Sequence, residues 1–227
     1  MDKPEQEDRL VKIPIAEIVR PQNTFAMQSK PYDVVLLPEA RLRDEAIMLS
    51  QDMQSRGALF VLGDEVFVPH VSLYMLQLHD EGMAKARTLL EHIALGQPAL
   101  TLHASAYHYE NEYVDVEYVR EQEIVSLQET ILNALNPVRD GMREKDKARL
   151  VDATGETRAN LVNFGYRSIG TLFHPHLTFA KFADNQESII STLPSVAQFS
   201  GAYTRLGIYE MGDNGTCAHE VVSWDLA

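Results

Sequence analysis

Cysteine is nearly absent: Cys217 is the only one among 227 residues, which excludes an internal disulfide framework and any multi-cysteine zinc site. Without a partner it reads as a small residue of a turn or strand. No apolar run approaches the roughly 18 to 20 residues that a membrane-spanning helix needs, and the N-terminal MDKPEQEDRL has no hydrophobic stretch that could act as a secretion signal. A cytoplasmic protein without a membrane partner is expected. Basic charge is in deficit, with 20 Lys and Arg against 33 Asp and Glu and a net charge of −13. Sequence-independent binding of long nucleic acid depends on neutralising many phosphates and is not expected, whereas a small nucleotide or an RNA end is not argued against. Glycine-rich phosphate loops are missing as well: GIYEMGDNG lacks both the dinucleotide-binding spacing and a Gly-Lys-Ser/Thr ending, and fits a hairpin turn.

What is present is ordinary globular material, 45% hydrophobic and 23% charged, enough for one domain or a tightly joined pair of lobes with a real core. Residues 1–30 carry Pro4, Pro14 and Pro21 with many charges and read as an extension; the compact fold is expected over 31–227, from about Tyr32. There YDVVLLP reads as a buried strand, and ARLRDEAIMLSQDMQSRG as a helix stopped by Gly57. A strand containing His70, a helix ending at Gly96, and a strand pair turned near Glu110-Asn111 follow. The second half replays this order: the strand YVDVEYV, a helix with Ile124, Leu127, Ile131 and Leu135 on one stripe, the strand with His176, the short helix NQESIISTLP, and a final hairpin turned at Asp213-Asn214-Gly215. Two strand-helix-strand-helix-strand units imply an α+β protein whose two lobes are related by pseudo-symmetry.

The feature that asks for chemistry is a phrase written twice, about a hundred positions apart. Pro69-His70-Val71-Ser72-Leu73 is matched by Pro175-His176-Leu177-Thr178-Phe179. On a strand, alternation sets His70 and Ser72 on one face and His176 and Thr178 on another, while the apolar residues turn inward. An imidazole beside a hydroxyl can transfer a proton and hydrogen-bond a phosphate oxygen. Two such pairs facing one cleft supply a base, an acid and two hydroxyl groups, which is enough to cleave a phosphodiester with neither a metal nor a cofactor. His103-Ala104-Ser105 repeats the His-x-hydroxyl core without the proline or the bulky apolar neighbours, and is taken as a chance match.

The paired PHVSL and PHLTF resemble the signatures of the 2H phosphoesterase superfamily, named for its two histidines, and in particular its LigT-like branch of bacterial RNA 2',5'-ligases and cyclic phosphodiesterases. The resemblance implies two antiparallel sheets with flanking helices around a central cleft. It implies a metal-independent enzyme acting on 2',3'-cyclic phosphates, 2',5'-linked nucleotides or other cyclic nucleotide or RNA-end substrates. His70 and His176 would be the acid and base, with Ser72 and Thr178 holding phosphate. Many members of the branch place a phosphate-contacting basic residue five positions after the second histidine; here that position is Lys181, which strict alternation turns away from His176 unless the strand bends. Ser72 stands where threonine is frequent, and the segment at about 138–170 falls outside the part that matches. Tyr74, two places past Ser72, should share the cleft face and could stack on a base; a strand aromatic at a sheet edge is the equal alternative.

Two other readings stay open. His174 and His176, with His70 across the cleft, could share a metal and leave a position for water. The same cleft could also bind a nucleotide or an RNA end without turnover. Within 138–170, the stretch from Gly141 to Gly170 has six basic and four acidic side chains, with Arg143, Lys145, Lys147 and Arg149 alternating through REKDKAR. The plainer reading of that stretch, a solvated helix face with its own ion pairs, takes precedence over a basic flap near a phosphate. Oligomeric state is not readable from the sequence.

Overall fold

A computed structural model describes residues 29–227. The expected N-terminal extension therefore lies outside the described residues, apart from its last two positions. The first strand, β1 (Lys30–Pro38), begins slightly before Tyr32, and α1 (Ala40–Gln54) follows it directly. Next come β2 (Val71–Leu78), α2 (Asp80–Gly96), β3 (Leu100–Leu102), β4 (Ala104–Glu110), β5 (Tyr113–Tyr118) and α3 (Gln122–Leu135). The segment at about 138–170 contributes two short helices, α4 (Glu144–Leu150) and α5 (Gly155–Phe164), before β6 (His176–Lys181), β7 (Gly201–Met211) and β8 (Cys217–Asp225).

These strands form two antiparallel sheets. The larger runs β2-β1-β7-β3 with β8 on β7, and the smaller runs β4-β5-β6. The α+β architecture of two sheets with helices is as expected, but the lobes are not the two halves of the sequence. The C-terminal strands β7 and β8 belong to the sheet of β1 and β2, with β7 lying beside β1. Local periodicity identifies strands but not such distant partners. The strand expected over LTLHASAYHYE also divides: β3 ends at Leu102 in the larger sheet, and after His103 the chain enters the smaller one as β4.

The run of apolar residues in β1 is explained by its place between β2 and β7, where both faces are covered. Val34 and Leu36 enter the main core, while Val35 and Leu37 join Val68, Tyr209 and Cys217 in a smaller cluster on the other face. Burying such side chains contributes roughly 1.5 to 3 kcal/mol each. The helices cross over between lobes: α1 packs on β6 of the smaller sheet, and α3 packs on β2 of the larger. The apolar stripe of α3 is buried as expected, but NQESIISTLP forms 3-10 turns over Glu187–Thr192 in place of an α-helix. No described helix is long and apolar enough to cross a membrane.

Candidate active site

The two motif strands open from their histidines into one cavity of about 1350 Å³, lined from both sheets by His70, Ser72, His176, Thr178 and Lys181. Each histidine is held in the same way. His70 Nδ1 lies 2.8 Å from the Val68 carbonyl, and His176 Nδ1 lies 2.8 Å from the His174 carbonyl. A carbonyl only accepts, so Nδ1 carries the hydrogen in both rings and the neutral imidazole keeps its free lone pair on Nε2. The prolines of the repeated phrase sit between acceptor and donor, where a φ fixed near about −65° restricts the short bend that brings ring and carbonyl together.

Both strands then break their alternation at the same place. Opposite β1, Val35 pairs with Ser72 and Val34 with Tyr74, leaving Leu73 as an extra residue. Opposite β5, Asp115 pairs with Thr178 and Val114 with Ala180, leaving Phe179 as the extra residue. Each bulge falls three positions after its histidine and shifts every later side chain to the other face. Lys181 is thereby brought into the cleft with His176, by the bend that its assignment required. The matching position on β2 is Met75, which also lines the cleft. Tyr74 goes the other way. It is fully buried, its hydroxyl donates to the Phe164 carbonyl at 2.7 Å, and its ring packs 6.1 Å from that of Tyr166. The expectation that Tyr74 stacks on a base is corrected: the bulge at Leu73 turns it into the core.

Two buried polar side chains hold these bulges from the crossed-over helices. Gln128 on α3 donates to the Leu73 carbonyl at 3.0 Å and to the Ser168 carbonyl at 2.9 Å. Ser50 on α1 donates to the Phe179 carbonyl at 2.7 Å and accepts from the Leu62 amide at 2.9 Å. Carbonyls displaced from a regular ladder inside a core need such partners.

Behind each hydroxyl stands a carboxyl that the motif reading did not include. Ser72 Oγ donates to Asp33 Oδ2 at 2.6 Å, and the same oxygen lies 3.9 Å from His70 Nε2. In the other lobe Thr178 is the cross-strand partner of Asp115 and acts to lower its carboxyl. Burial pushes Asp33 up to about 7, against the opposing pull of Ser72, Arg143 and His176, and burial also raises Asp115. One oxygen of each, Oδ1, is buried without a protein partner among the described residues. Burial acts on His70 in the other direction and, helped by repulsion from His176, lowers it to about 4 despite the Val68 bond. His70 is therefore neutral at physiological pH. The sequence did carry a signal for these carboxyls: Asp33 is the lone charge in the apolar run of β1, and Asp115 sits between two valines in β5.

The alternative metal set of His70, His174 and His176 does not converge. Among the described residues, the group of three donor atoms lying within 4.8 Å of one another is Asp33, His70 and Cys217. Burial holds the Cys217 thiol well above its usual range and pushes the Asp33 carboxyl up to about 7. His174 lines the cleft and offers its carbonyl to His176. His103, the chance match, is exposed and pairs with Glu121 at 2.9 Å.

The basic stretch is divided between the two roles considered for it. Lys147 pairs with Glu144 at the surface, while Arg143, Lys145 and Arg149 line the cleft. The ion pairs of the plainer reading are there for Lys147, Arg143 and Arg149, the last two through Asp146, but the face that carries Arg143, Lys145 and Arg149 borders the cleft. Periodicity missed this because α4 is only seven residues long and docks by its buried Asp146, without an apolar stripe.

The family model of the 2'-5' RNA ligase superfamily matches residues 53–214. Among solved structures, LigT of E. coli complexed with phosphate is similar at a TM-score of 0.55 and 16% identity, covering 88% of this chain and 99% of that one. LigT of E. coli complexed with 3'-AMP is similar at 0.54 and 17%, over the same shares of each chain. At such identity the likeness is one of fold. No curated protein matches the chain by sequence. Both histidine motifs lie within the matched span, which covers more than half of the chain, and the protein belongs to the 2'-5' RNA ligase superfamily.

Proposed function

We propose that this protein is a metal-independent phosphodiesterase that opens 2',3'-cyclic phosphates or cleaves 2',5'-linked or other cyclic nucleotide and RNA-end substrates. The observation that carries the reading is the matched pair of histidines in one cleft, each with Nδ1 committed to a backbone carbonyl and Nε2 left for chemistry. His70, kept neutral by burial, is the base: its Nε2 takes a proton from water as the water oxygen attacks phosphorus. His176, in its protonated form, gives its Nε2 proton to the leaving ribose oxygen as the P–O bond breaks. The proton count balances, and the pair is reset when His70 returns a proton and His176 regains one. Ser72, Thr178 and Lys181 hold the non-bridging oxygens, with Lys181 supplying the charge.

A nucleotide occupant is supported by solved relatives of the same fold, LigT of E. coli having been complexed with 3'-AMP, ATP and NADP+. The test is turnover of a panel of 2',3'-cyclic nucleotides, 2',5'-linked dinucleotides and cyclic dinucleotides, with products separated by chromatography. Conversion of at least one class is expected. Binding of these compounds without conversion of any would sink the enzymatic reading in favour of a nucleotide-binding module.

A further inference from the structure

The 138–170 segment brings more positive charge into the cleft than it neutralises. Asp146, fully buried, is the anchor: its Oδ2 accepts from Arg143 Nε at 2.7 Å, and its Oδ1 accepts from Arg149 Nη1 at 2.8 Å. One carboxylate thus serves two guanidiniums. Lys145, exposed beside them, has no ion-pair partner among the described residues; partial desolvation and then Arg149, Lys181 and Arg143 disfavour its ammonium against the pull of Asp146. The neighbouring Glu144 is taken by Lys147. Arg143 is itself buried, and its remaining Nη1 faces two thioethers, Met75 Sδ at 3.1 Å and Met211 Sδ at 3.0 Å. Sulfur is a weak acceptor, so this donor gains from any oxyanion that reaches it. Three cations around a single carboxylate repel one another, and an anion that joins them relieves that repulsion.

The side chains that would hold that anion come from a different element than those that hold the phosphate under attack. The reacting phosphate is held by the histidines, the two hydroxyls and Lys181, whereas Arg143, Lys145 and Arg149 all come from α4 and its N-terminal neighbour. A cavity of about 1350 Å³ has room for a whole nucleotide with more than one phosphate. Glu110 and Glu112, on the β4–β5 hairpin in the same cavity, have no cation paired to them among the described residues, whereas the lining carboxylate of α4, Glu144, is paired with Lys147.

We infer that Arg143, Lys145 and Arg149 form a second anion subsite that takes a phosphate monoester of the substrate, so that the preferred substrate is a nucleotide carrying a phosphate besides the one cleaved. The inference rests on the phosphodiesterase reading for the word substrate, but the subsite can be measured without turnover. Calorimetry of adenosine 3',5'-bisphosphate against 3'-AMP should show the bisphosphate bound at least about tenfold more tightly by the wild type, the value of one well-formed charge-assisted contact. Lys145→Ala and Arg149→Ala should each bring that ratio toward unity, and Lys145→Arg should keep it. A ratio of preferences does not depend on how much of a variant is folded. Turnover of 2',3'-cyclic AMP with and without a 5'-phosphate should follow the same pattern. A wild-type ratio near one, a ratio untouched by both alanine variants, or no binding of either nucleotide overturns the subsite. An intact binding ratio with no turnover leaves the subsite standing and removes the phosphodiesterase reading instead.

Discussion

Ser72 Oγ donates to Asp33 Oδ2 at 2.6 Å, so an ionised Asp33 takes the hydrogen that a phosphate oxygen would otherwise receive. When Asp33 is protonated, its own O–H can donate to Ser72 Oγ, and the serine hydrogen is released toward the cleft. Because burial puts Asp33 at about 7, the two arrangements exchange near neutrality.

The cost of ionising Asp33 is open to measurement. Its folded value lies above its unfolded value of 3.8, so its contribution to stability is complete below that value and is lost as pH rises through about 7. His70 acts oppositely: its value is lowered from 6.5 to about 4, so its contribution is present above 6.5 and is lost as pH falls through about 4. The two oppose each other over one window and leave the wild type with a shallow slope. Asp33→Asn should isolate the first, gaining on the wild type as pH rises from 4 to 8 by an amount on the order of 4 kcal/mol. Urea midpoints at constant m would show it, and a difference independent of pH would contradict a buried, neutralised Asp33.

A second expectation concerns the bulges. Ser50→Ala leaves the Phe179 carbonyl and the Leu62 amide without their buried partner, and Gln128→Leu does the same to the Leu73 and Ser168 carbonyls. Each should cost roughly 1 to 3 kcal/mol. Ser50→Ala should also lower kcat, because the Phe179 bulge is what turns Lys181 toward the phosphate. Full kcat in Ser50→Ala with a lowered Tm would show that the bulge needs no such support.

A third concerns Tyr74. Removing its hydroxyl as Tyr74→Phe takes away a bond of 2.7 Å to the Phe164 carbonyl and should lower stability by about 1 kcal/mol. KM for any nucleotide should not change. A raised KM with unchanged stability would return Tyr74 to the cleft.

The three cases mark what could be read from the chain alone. His70, Ser72, His176 and Thr178 were legible because strand alternation is local and the phrase is repeated. The placements of Tyr74 and Lys181 escape the sequence for one shared reason: a bulge depends on the opposing strand, and neither Leu73 nor Phe179 differs from an ordinary core residue in sequence. The β1–β7 pairing joins residues too far apart for periodicity to register. Asp33 and Asp115 were visible as isolated charges in apolar strands, but their relation to Ser72 and Thr178 is a cross-strand one.

The pH profile offers a fourth expectation. If His70 is the base in the free enzyme, its value of about 4 means that the neutral form persists well below the usual histidine range. On the acid side kcat/KM should hold until the pH approaches about 4 to 5. A fall centred near 6.5 would mean that His70 is not desolvated in solution or is not the base.

The most direct test of the two-histidine account is hydrolysis of 2',3'-cyclic AMP in excess EDTA by the wild type, His70→Ala and His176→Ala, with circular dichroism to verify folding. Undiminished wild-type turnover under chelation, and a loss of at least about a hundredfold in each variant, is the predicted result. Activity that vanishes with EDTA, or a folded alanine variant that keeps the wild-type rate, would contradict it.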